Sequence, residues 1–372
     1  MAGAPEQQRN AALDGLRGWA ALSVVVYHCL WQTFGYRFPE IHTFIASLAG
    51  NGIMAVAVFL AISGYVLTRG RWRNPHNPPL TIACVRRYVR LTLPIVAATL
   101  LVFVLMSLDL TPTRDAHQVT EVRQWYGTFV RFEPNLLDAL GFAFAWTYTW
   151  PVEHNYNPFL WTMVAELWGS FALFALSQNN RFTREPYSPL LLLITLAVFV
   201  FPLAACFFAG ALFALMERDG LLPQTSGPLL SFTASWGLFA LIVIGTLTQM
   251  VNRDVLTLAV VGTGIFLAAR YSLPAQRFLM LDVSQFLGRI SFPLYLVQFA
   301  VIVSLSANLI VVAHTDGVLN SASALLVATA SVIASLVLAT LFLPVEVATL
   351  SLLRRFDRWR AAPRASVAAR AA

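Results

Sequence analysis

Residues 91–108 read LTLPIVAATLLVFVLMSL, eighteen residues without a charged side chain. The hydrocarbon core of a bilayer is spanned by about 20 apolar helical residues, so this stretch predicts a membrane-spanning helix. The whole chain has the same character, because 58% of its 372 residues are hydrophobic and only 12% are charged. That charged fraction is about half of what soluble domains carry. The composition therefore argues against a soluble enzyme, a disordered protein or a secreted disulfide scaffold.

Nine apolar runs are long enough to cross a bilayer, and a tenth, 136–150, is shorter and weaker. The nine candidate spans are 18–36, 44–68, 82–108, 159–177, 189–217, 228–250, 254–271, 286–313 and 321–352. The longest polar interval, 108–158, interleaves charged residues with tryptophan and tyrosine. This pattern is typical of an exposed loop with aromatic residues at the membrane interface.

The arginines indicate which ends of the spans face the cytoplasm, because basic residues accumulate on that side. Residues 69–90 hold six arginines, and the tail from 354 onward holds another six. Placing both segments in the cytoplasm requires an even number of crossings between them. The candidate spans from 82–108 to 321–352 number seven, so one more crossing is needed. Either 136–150 crosses as well, or the run 189–217, which contains Pro202, forms two short spans. We therefore predict an all-α integral membrane protein, a polytopic bundle of about ten transmembrane helices with both termini cytoplasmic.

The formal net charge of +7 predicts arginine-rich cytoplasmic margins that face anionic lipid headgroups, and it requires no nucleic-acid partner. Residues 1–360 are predicted to form one transmembrane domain, followed by a basic, disordered cytoplasmic tail at 361–372. Cys29, Cys84 and Cys206 each adjoin or lie within an apolar run, so we interpret them as small hydrophobic residues without a structural disulfide. The six histidines are scattered without a ligand pair at helical spacing, and we predict no metal.

Ionisable residues inside apolar runs are candidate functional residues, because they are costly at membrane depth. Arg17 and His28 are eleven residues apart, which places them on one helix face with a rise of about 16 Å between them. Asp14 lies one turn before Arg17 and can pair with it. Histidine suits general-base catalysis near neutral pH. A snorkelling arginine and a hydrogen-bonded core histidine are an equally weighted interpretation of the same pair.

Arg87 and Arg90 lie one helical turn apart at the start of the third span, with Arg86 beside them. Planar guanidinium groups suit bidentate phosphate recognition. Binding of anionic lipid headgroups explains the same cluster at least as well, so both interpretations stay open.

Two further segments carry polar groups in apolar surroundings. Ser63-Gly64 ends the second span, although a Ser-Gly pair in a membrane helix more often serves helix packing. Glu166 and Glu346 each lie among apolar residues, and each needs either a proton or a cationic partner from another helix. A polar cavity shared by several spans would supply such partners.

Taken together and in this order, the segments resemble the membrane-bound acyltransferase 3 family, whose members transfer acyl groups to extracytoplasmic sugars and some other hydroxyl acceptors. The resemblance rests on Leu13-Asp-Gly-Leu-Arg17-Gly18 through His28, Phe59 through Ser63-Gly64-Tyr65, Arg86-Arg87-Tyr-Val-Arg90, Trp161 through Glu166, and Leu287-Gly-Arg-Ile-Ser291-Phe-Pro-Leu-Tyr295-Leu296. It implies a single acyltransferase domain over residues 1–360 and a multi-pass location in the inner (plasma) membrane of a cell.

The resemblance also implies acyl-CoA as co-substrate, most often acetyl-CoA, approached from the cytoplasm. His28 would be the general base for the acceptor hydroxyl, and Glu166 would orient or charge-balance its imidazole. The remaining implied residues are Arg17, Ser63, Gly64, Arg86, Arg87 and Arg90 for the donor, and Asp14, Trp161 and Tyr295 for the substrate. Direct transfer is the preferred mechanism, and an acyl-His28 intermediate stays open.

The chain departs from the family pattern at two places. Gln298 stands where the family often has a histidine, so no second acid-base histidine is expected there, and 162–165 differ from the usual Ser-Leu-Ser-Val. The chain ends soon after the last span, and we expect no fused extracytoplasmic domain. The protein would act alone or with envelope polysaccharide machinery, and its oligomeric state is not predicted.

Other functions fit part of the pattern. A transporter or flippase could use His28, Glu166 and the arginines as a relay, although no inverted repeat is visible. A scaffold that has lost catalysis ranks last. Within the enzyme hypothesis the acceptor is expected to be a polysaccharide, an O-antigen or a lipid-linked sugar, with a small-molecule hydroxyl as the alternative.

Overall fold

The computed structural model describes residues 4–72, 78–122, 125–149, 152–178 and 185–371, and within these ranges it contains helices and no strands. The α-helices are α1 (Ala4–Val26), α2 (Phe44–Ala49), α3 (Gly52–Trp72), α4 (Leu80–Ser107), α5 (Thr113–Thr120), α6 (Leu136–Phe144), α7 (Met163–Gln178), α8 (Tyr187–Val200), α9 (Pro202–Arg218), α10 (Pro228–Val251), α11 (Val255–Tyr271), α12 (Leu273–Leu279), α13 (Asp282–Val301), α14 (Ala307–Thr315) and α15 (Ser321–Ala371). The predicted all-α architecture is confirmed.

Two π-helical segments and three 3-10 turns interrupt or link these helices. The π-helical segments, Tyr27–Gln32 and Ile302–Ser306, continue α1 and α13 without a break in the helical backbone. The 3-10 turns are Pro39–Ile41, Trp146–Tyr148 and Pro158–Thr162. A π-helical turn widens the helix locally and is frequent at functional sites.

Six helical segments of the described chain are long and apolar enough to cross a membrane by themselves, which identifies a membrane protein. They are Phe44–Arg71, Leu80–Ser107, Pro158–Gln178, Pro228–Val251, Asp282–Thr315 and Ser321–Trp359. The pair α11 and α12, bent by 93°, makes a seventh if it counts as one span. The predicted total of ten is therefore not reached on length and composition alone. The helices α8 and α9, with 14 and 17 residues, are shorter than a usual span, and α1 carries four charged residues.

The structure treats the two doubtful segments of the sequence differently. The described part of the run 136–150, residues 136–149, contains the nine-residue helix α6 and the turn Trp146–Tyr148. The run 189–217 divides at Phe201, whose φ of −157° and ψ of 86° are not helical, into α8 and α9. Pro202 begins α9, where its missing N–H costs no hydrogen bond. Of the two alternatives that the sequence leaves open, the division of 189–217 is thus present as two helices.

The central contact of the bundle joins α3 to α9, and two glycines allow it. A Cβ on Gly64 would lie 1.7 Å from the carbonyl oxygen of Phe207, and one on Gly210 would lie 1.9 Å from that of Ala61. The two helix backbones therefore touch, as they commonly do in membranes at small residues. The neighbouring core contains Cys206, while Cys29 is buried near the loops and Cys84 is half-buried.

Side-chain contacts sort the helix ends into two groups. At one end, which we call the arginine end, Tyr65 of α3, Glu217 of α9 and Arg270 of α11 form one buried network, in which the Tyr65 hydroxyl donates to Glu217 over 2.6 Å. Arg86 of α4 pairs with Asp357 of α15 at the same end. Gln285 of α13 donates to the carbonyl oxygen of Ala11 in α1 over 2.8 Å, and Leu13 of α1 and Arg270 of α11 line one small cavity. The beginnings of α1, α4 and α13 therefore lie beside the ends of α3, α9, α11 and α15.

The opposite end, which we call the loop end, gathers the connections after the π-helical turn, after α4 and after α10. Its contacts join Arg37 to the carbonyl oxygen of Val119 (2.7 Å), the guanidinium of Arg253 to the ring of Trp31 (5.3 Å), and Ser321 to Glu40. The last helix, α15, runs from this end to the arginine end and extends to Ala371, so residues 361–371 lie in a helix. We predicted a disordered tail there, and the division at residue 360 stays a prediction.

Candidate active site

A cavity of about 590 Å³ lies among α1, α3, α4, α7, α13 and α15 and collects most of the residues predicted from sequence. Seven of the eleven predicted site residues line it: Asp14, Arg17, Ser63, Arg87, Arg90, Glu166 and Tyr295. Glu346, Arg289 and Gln298 also line it. Volumes of about 300–1,000 Å³ are usual for small-molecule sites.

The arginine end of the cavity carries guanidinium groups that no carboxylate neutralises at contact distance. Arg17, Arg90 and Arg289 line the wall, and none has an ion pair within 4 Å among the described residues. Asp14 and Glu346 interact electrostatically with Arg17 and Arg90 from farther away. The pairing expected between Asp14 and Arg17 is therefore a long-range attraction, and the guanidinium groups keep their hydrogen-bond donors.

Arg87 lies one turn away from Arg90 and differs from it in its contacts. Its guanidinium pairs with the carboxylate of Glu166, and its Nε donates to the hydroxyl of Ser170 over 3.0 Å. Both charged side chains are nearly buried, with exposures of 13% for Arg87 and 10% for Glu166. Glu166 thus finds its cation in α4, and the contact with His28 that the sequence suggested is not formed.

His28 lies in the π-helical turn, and its partner is Gln298 of α13. Nδ1 of His28 is 3.1 Å from Oε1 of Gln298, which lines the cavity. The imidazole stacks on the ring of Phe159, with centroids 4.0 Å apart, and Trp125 lies 5.3 Å away on the loop end. His28 is half-buried. His28 therefore lies behind Gln298 and reaches the cavity through this side chain.

Tyr295 anchors the turn Pro158–Thr162 to α13. Its hydroxyl donates to the carbonyl oxygen of Phe159 and accepts from the hydroxyl of Thr162 over 2.7 Å. Because Phe159 carries the ring beneath His28, Tyr295 fixes one face of the imidazole pocket. Its role in binding substrate is a prediction.

Four predicted residues do not line the cavity. Besides His28, which reaches it through Gln298, these are Gly64, Arg86 and Trp161. Gly64 packs on Phe207, which agrees with a helix-packing role for the Ser-Gly pair. Ser63 faces the cavity. Arg86 points to Asp357, and Trp161 packs edge-on against Phe201 at 5.4 Å.

Sequence reasoning missed the aromatic wall around His28 and the contact of Gln298. Trp125 and Phe159 are far from His28 in sequence and carry no charge, so nothing in their spacing marks them. Gln298 was noticed only as a departure from the family pattern. Its position, three residues after Tyr295 on one helix face, was the available signal.

The fold and the site define a polytopic helical membrane protein with a cavity lined by arginines at one end and by Gln298, the partner of His28. The acyltransferase domain of the acyltransferase 3 family matches residues 10–343, which is most of the chain. The protein belongs to this family, and the resemblance seen in the sequence is confirmed. Acyl transfer is the class of activity that this membership supports.

One relative is the O-acetyltransferase PaAT-1 of Phomopsis amygdali. It is 24% identical over an alignment 360 positions long, and the match covers 77% of this chain and 71% of the relative. No solved structure matches the chain significantly.

Proposed function

We propose that the protein is an integral membrane O-acyltransferase that moves an acetyl group from cytoplasmic acetyl-CoA to a hydroxyl of a sugar in an extracytoplasmic or lipid-linked polysaccharide. The observation that carries the proposal is the cavity, whose wall runs from Arg17 and Arg90 to Gln298, the partner of His28. The name of the relative, an O-acetyltransferase, supports acetyl as the group and oxygen as the acceptor atom. The sugar rests on the family resemblance.

The donor enters at the arginine end. Arg17, Arg90 and Arg289 offer guanidinium donors without a contact-distance carboxylate, which suits the phosphates of a coenzyme A thioester. The wall between these arginines and Gln298 is largely apolar and includes Ala21 and Val24, which suits an uncharged thioester arm. Arg87, which already holds Glu166, supports the shape of the site.

The chemistry takes place at His28. The imidazole removes the proton of the acceptor hydroxyl while the oxygen attacks the thioester carbonyl carbon. The carbon–sulfur bond breaks, and the thiolate of coenzyme A leaves and takes up the proton. Direct transfer is favoured, because Cys29 and Ser63 have no hydrogen bond to His28 that would make either a nucleophile.

The chain crosses the plasma membrane ten times with both termini in the cytoplasm. The six long spans are joined by α1 with its π-helical turn, α8, α9 and α11, and the division of 189–217 restores the parity. The sorting of helix ends supports this topology, because alternate ends meet at the arginine end and the loop end. The arginine end then faces the cytoplasm, as the accumulation of basic residues favours.

Acetyl transfer by purified protein in detergent tests the proposal. Isotope-labelled acetyl-CoA is offered with a panel of sugars, and mass spectrometry reads the label on the sugar together with free coenzyme A. We expect label on an acceptor hydroxyl. Detergent provides no sealed compartment, so a transporter cannot give this signal. If label crosses the membrane of sealed vesicles but forms no ester, the result contradicts the enzyme proposal and favours a transporter.

A further inference from the structure

The hydrogen bonds of Gln298 define which end of its amide faces His28. Nε2 of Gln298 donates to the backbone carbonyl oxygen of Tyr295 over 3.2 Å. A carbonyl oxygen only accepts, so the NH₂ group must be on that side. The amide oxygen then faces Nδ1 of His28 at 3.1 Å.

This orientation determines where the imidazole carries its proton. An amide oxygen also only accepts, so Nδ1 of His28 must be the donor. A neutral imidazole has one N–H, and Nε2 therefore keeps a free lone pair. Nε2 has no hydrogen-bond partner among the described residues. It is also absent from the set of fully buried polar atoms without a partner, so it keeps some contact with solvent.

The surroundings of His28 hold the ring in this orientation. The ring of Phe159 covers one face at 4.0 Å, and the turn that carries Phe159 is tied to Tyr295 through its carbonyl oxygen. Tyr295 also provides the carbonyl that orients Gln298. The hydroxyl of Thr33 donates to the carbonyl oxygen of His28 over 2.7 Å, which fixes the backbone of the π-helical turn. One cluster thus positions both the imidazole and its partner.

We propose that Gln298 is a positioning residue that fixes His28 in the Nδ1–H tautomer and so presents Nε2 as the base for the acceptor hydroxyl. The inference rests on the proposed function for its catalytic consequence, but the tautomer itself is independent of any reaction. An uncharged amide does this without the carboxylate that orients histidine in many hydrolytic triads. Glu166 is not available for that role, because it is paired with Arg87.

Nitrogen NMR of protein labelled with ¹⁵N-histidine tests the tautomer directly. The spectrum is recorded in detergent at about pH 8, where an ordinary histidine is neutral. Loss of one pair of signals in His28→Asn assigns the resonances. We expect a protonated Nδ1 and an unprotonated Nε2 in the wild type. A protonated Nε2 would overturn the proposal, whatever the activity.

Two variants of Gln298 test the link to turnover. Gln298→Met removes the acceptor at similar size, and we expect Nε2–H to appear in the spectrum. The kcat should fall by roughly 10²- to 10⁴-fold, the usual worth of a general base, while KM for acetyl-CoA stays the same. Gln298→Glu keeps an oxygen acceptor and should retain the Nδ1–H tautomer and most of kcat.

The outcomes separate this inference from the proposed function. If Gln298→Met transfers acetyl at the wild-type rate and keeps the same tautomer, Gln298 has no positioning role, while the proposed acyltransferase activity stands. If the wild type has the Nδ1–H tautomer but transfers acetyl to no acceptor, the proposed function is contradicted and the assignment of the tautomer stands. If Gln298→Met does not fold, the wild-type spectrum and Gln298→Glu still decide, because a shift to Nε2–H in Gln298→Glu contradicts the proposal.

Discussion

Arg87 and Arg90 are neighbours in one arginine cluster but differ in their contacts. They lie one turn apart on α4, and both line the cavity. Arg87 is held by Glu166 and Ser170, whereas Arg90 is exposed and has no ion pair within 4 Å among the described residues. A buried ion pair is costly to break, whereas an exposed guanidinium is free to bind an anion. Substitution of Arg90 should therefore chiefly affect ligand binding, and substitution of Arg87 should chiefly affect stability.

Arg90→Gln should weaken acetyl-CoA binding with little change in thermal stability. One charge-assisted hydrogen bond is worth about 1.5–3 kcal/mol, so Kd should rise by about tenfold to a hundredfold. Isothermal titration of purified protein with coenzyme A measures the change. An unchanged Kd in both Arg90→Gln and Arg17→Gln would contradict donor binding by these arginines and favour binding of anionic lipid headgroups instead.

Arg87→Gln should instead destabilise the fold, because it leaves the Glu166 carboxylate buried without a cation. Removing one partner of a buried pair costs about 3–5 kcal/mol, and removing both costs much less. The melting temperature in detergent should fall in Arg87→Gln and recover partly in the double variant with Glu166→Gln. Additive losses in the double variant would show that the pair does not couple.

The sequence predicted the residue types of the site better than their partners. The stripe from Arg17 to His28 follows from helix geometry, and seven predicted residues line one cavity. The cation from another helix that Glu166 needs is Arg87, whereas a contact of Glu166 with His28 is not formed, because the spacing does not say which cation a carboxylate among apolar residues meets. The partner of His28 comes from α13, 270 positions away. Such contacts depend on how helices pack, which no local pattern records.

At the scale of helices, the contact between α3 and α9 depends on the absence of side chains at Gly64 and Gly210. The Ser-Gly pair predicted packing as its commoner meaning, and Gly64 does pack. Pro202 also marked a real helix break. The π-helical turn at Tyr27–Gln32 was not predicted, because widening by one residue follows from tertiary contacts of the loop and leaves no sequence period.

Gly64→Ala should destabilise the protein through this helix contact. The added methyl group would lie 1.7 Å from a carbonyl oxygen of α9, so the helices must separate. Overpacking of this kind costs about 1–3 kcal/mol and sometimes more. Gly70→Ala in the same helix is the matched control, because nothing lies within 4 Å of its Cβ. Equal melting temperatures for the two variants would contradict the close contact.

At the scale of the whole molecule, the helix ends fall into the arginine end and the loop end. Under the proposed topology these two ends lie on opposite sides of the membrane. Donor phosphates would bind near the cytoplasm, and His28 would lie toward the outer side, where an extracytoplasmic acceptor arrives. Composition predicted a helical membrane protein correctly. Composition does not give the number of crossings, because α1 carries charged residues and α8 and α9 are short.

Topology mapping tests this arrangement. Single cysteines introduced at Asn252 and Gly317, in a chain whose native cysteines are replaced, should react with an impermeant maleimide added outside intact cells. Cysteines at Gln224 and Arg358 should react only after the membrane is permeabilised. Gln224 follows α9 and Asn252 follows α10, so the pair brackets one helix. Labelling of both from the same side would contradict ten crossings.

The most direct test of the central claim is acetyl-CoA turnover by purified wild-type protein, His28→Ala and His314→Ala in detergent, with free coenzyme A measured over a panel of sugar acceptors. His314 is an exposed histidine outside the cavity and serves as the control. The account predicts loss of turnover in His28→Ala, with an unchanged melting profile, and wild-type turnover in His314→Ala. Full turnover in a folded His28→Ala protein would contradict it.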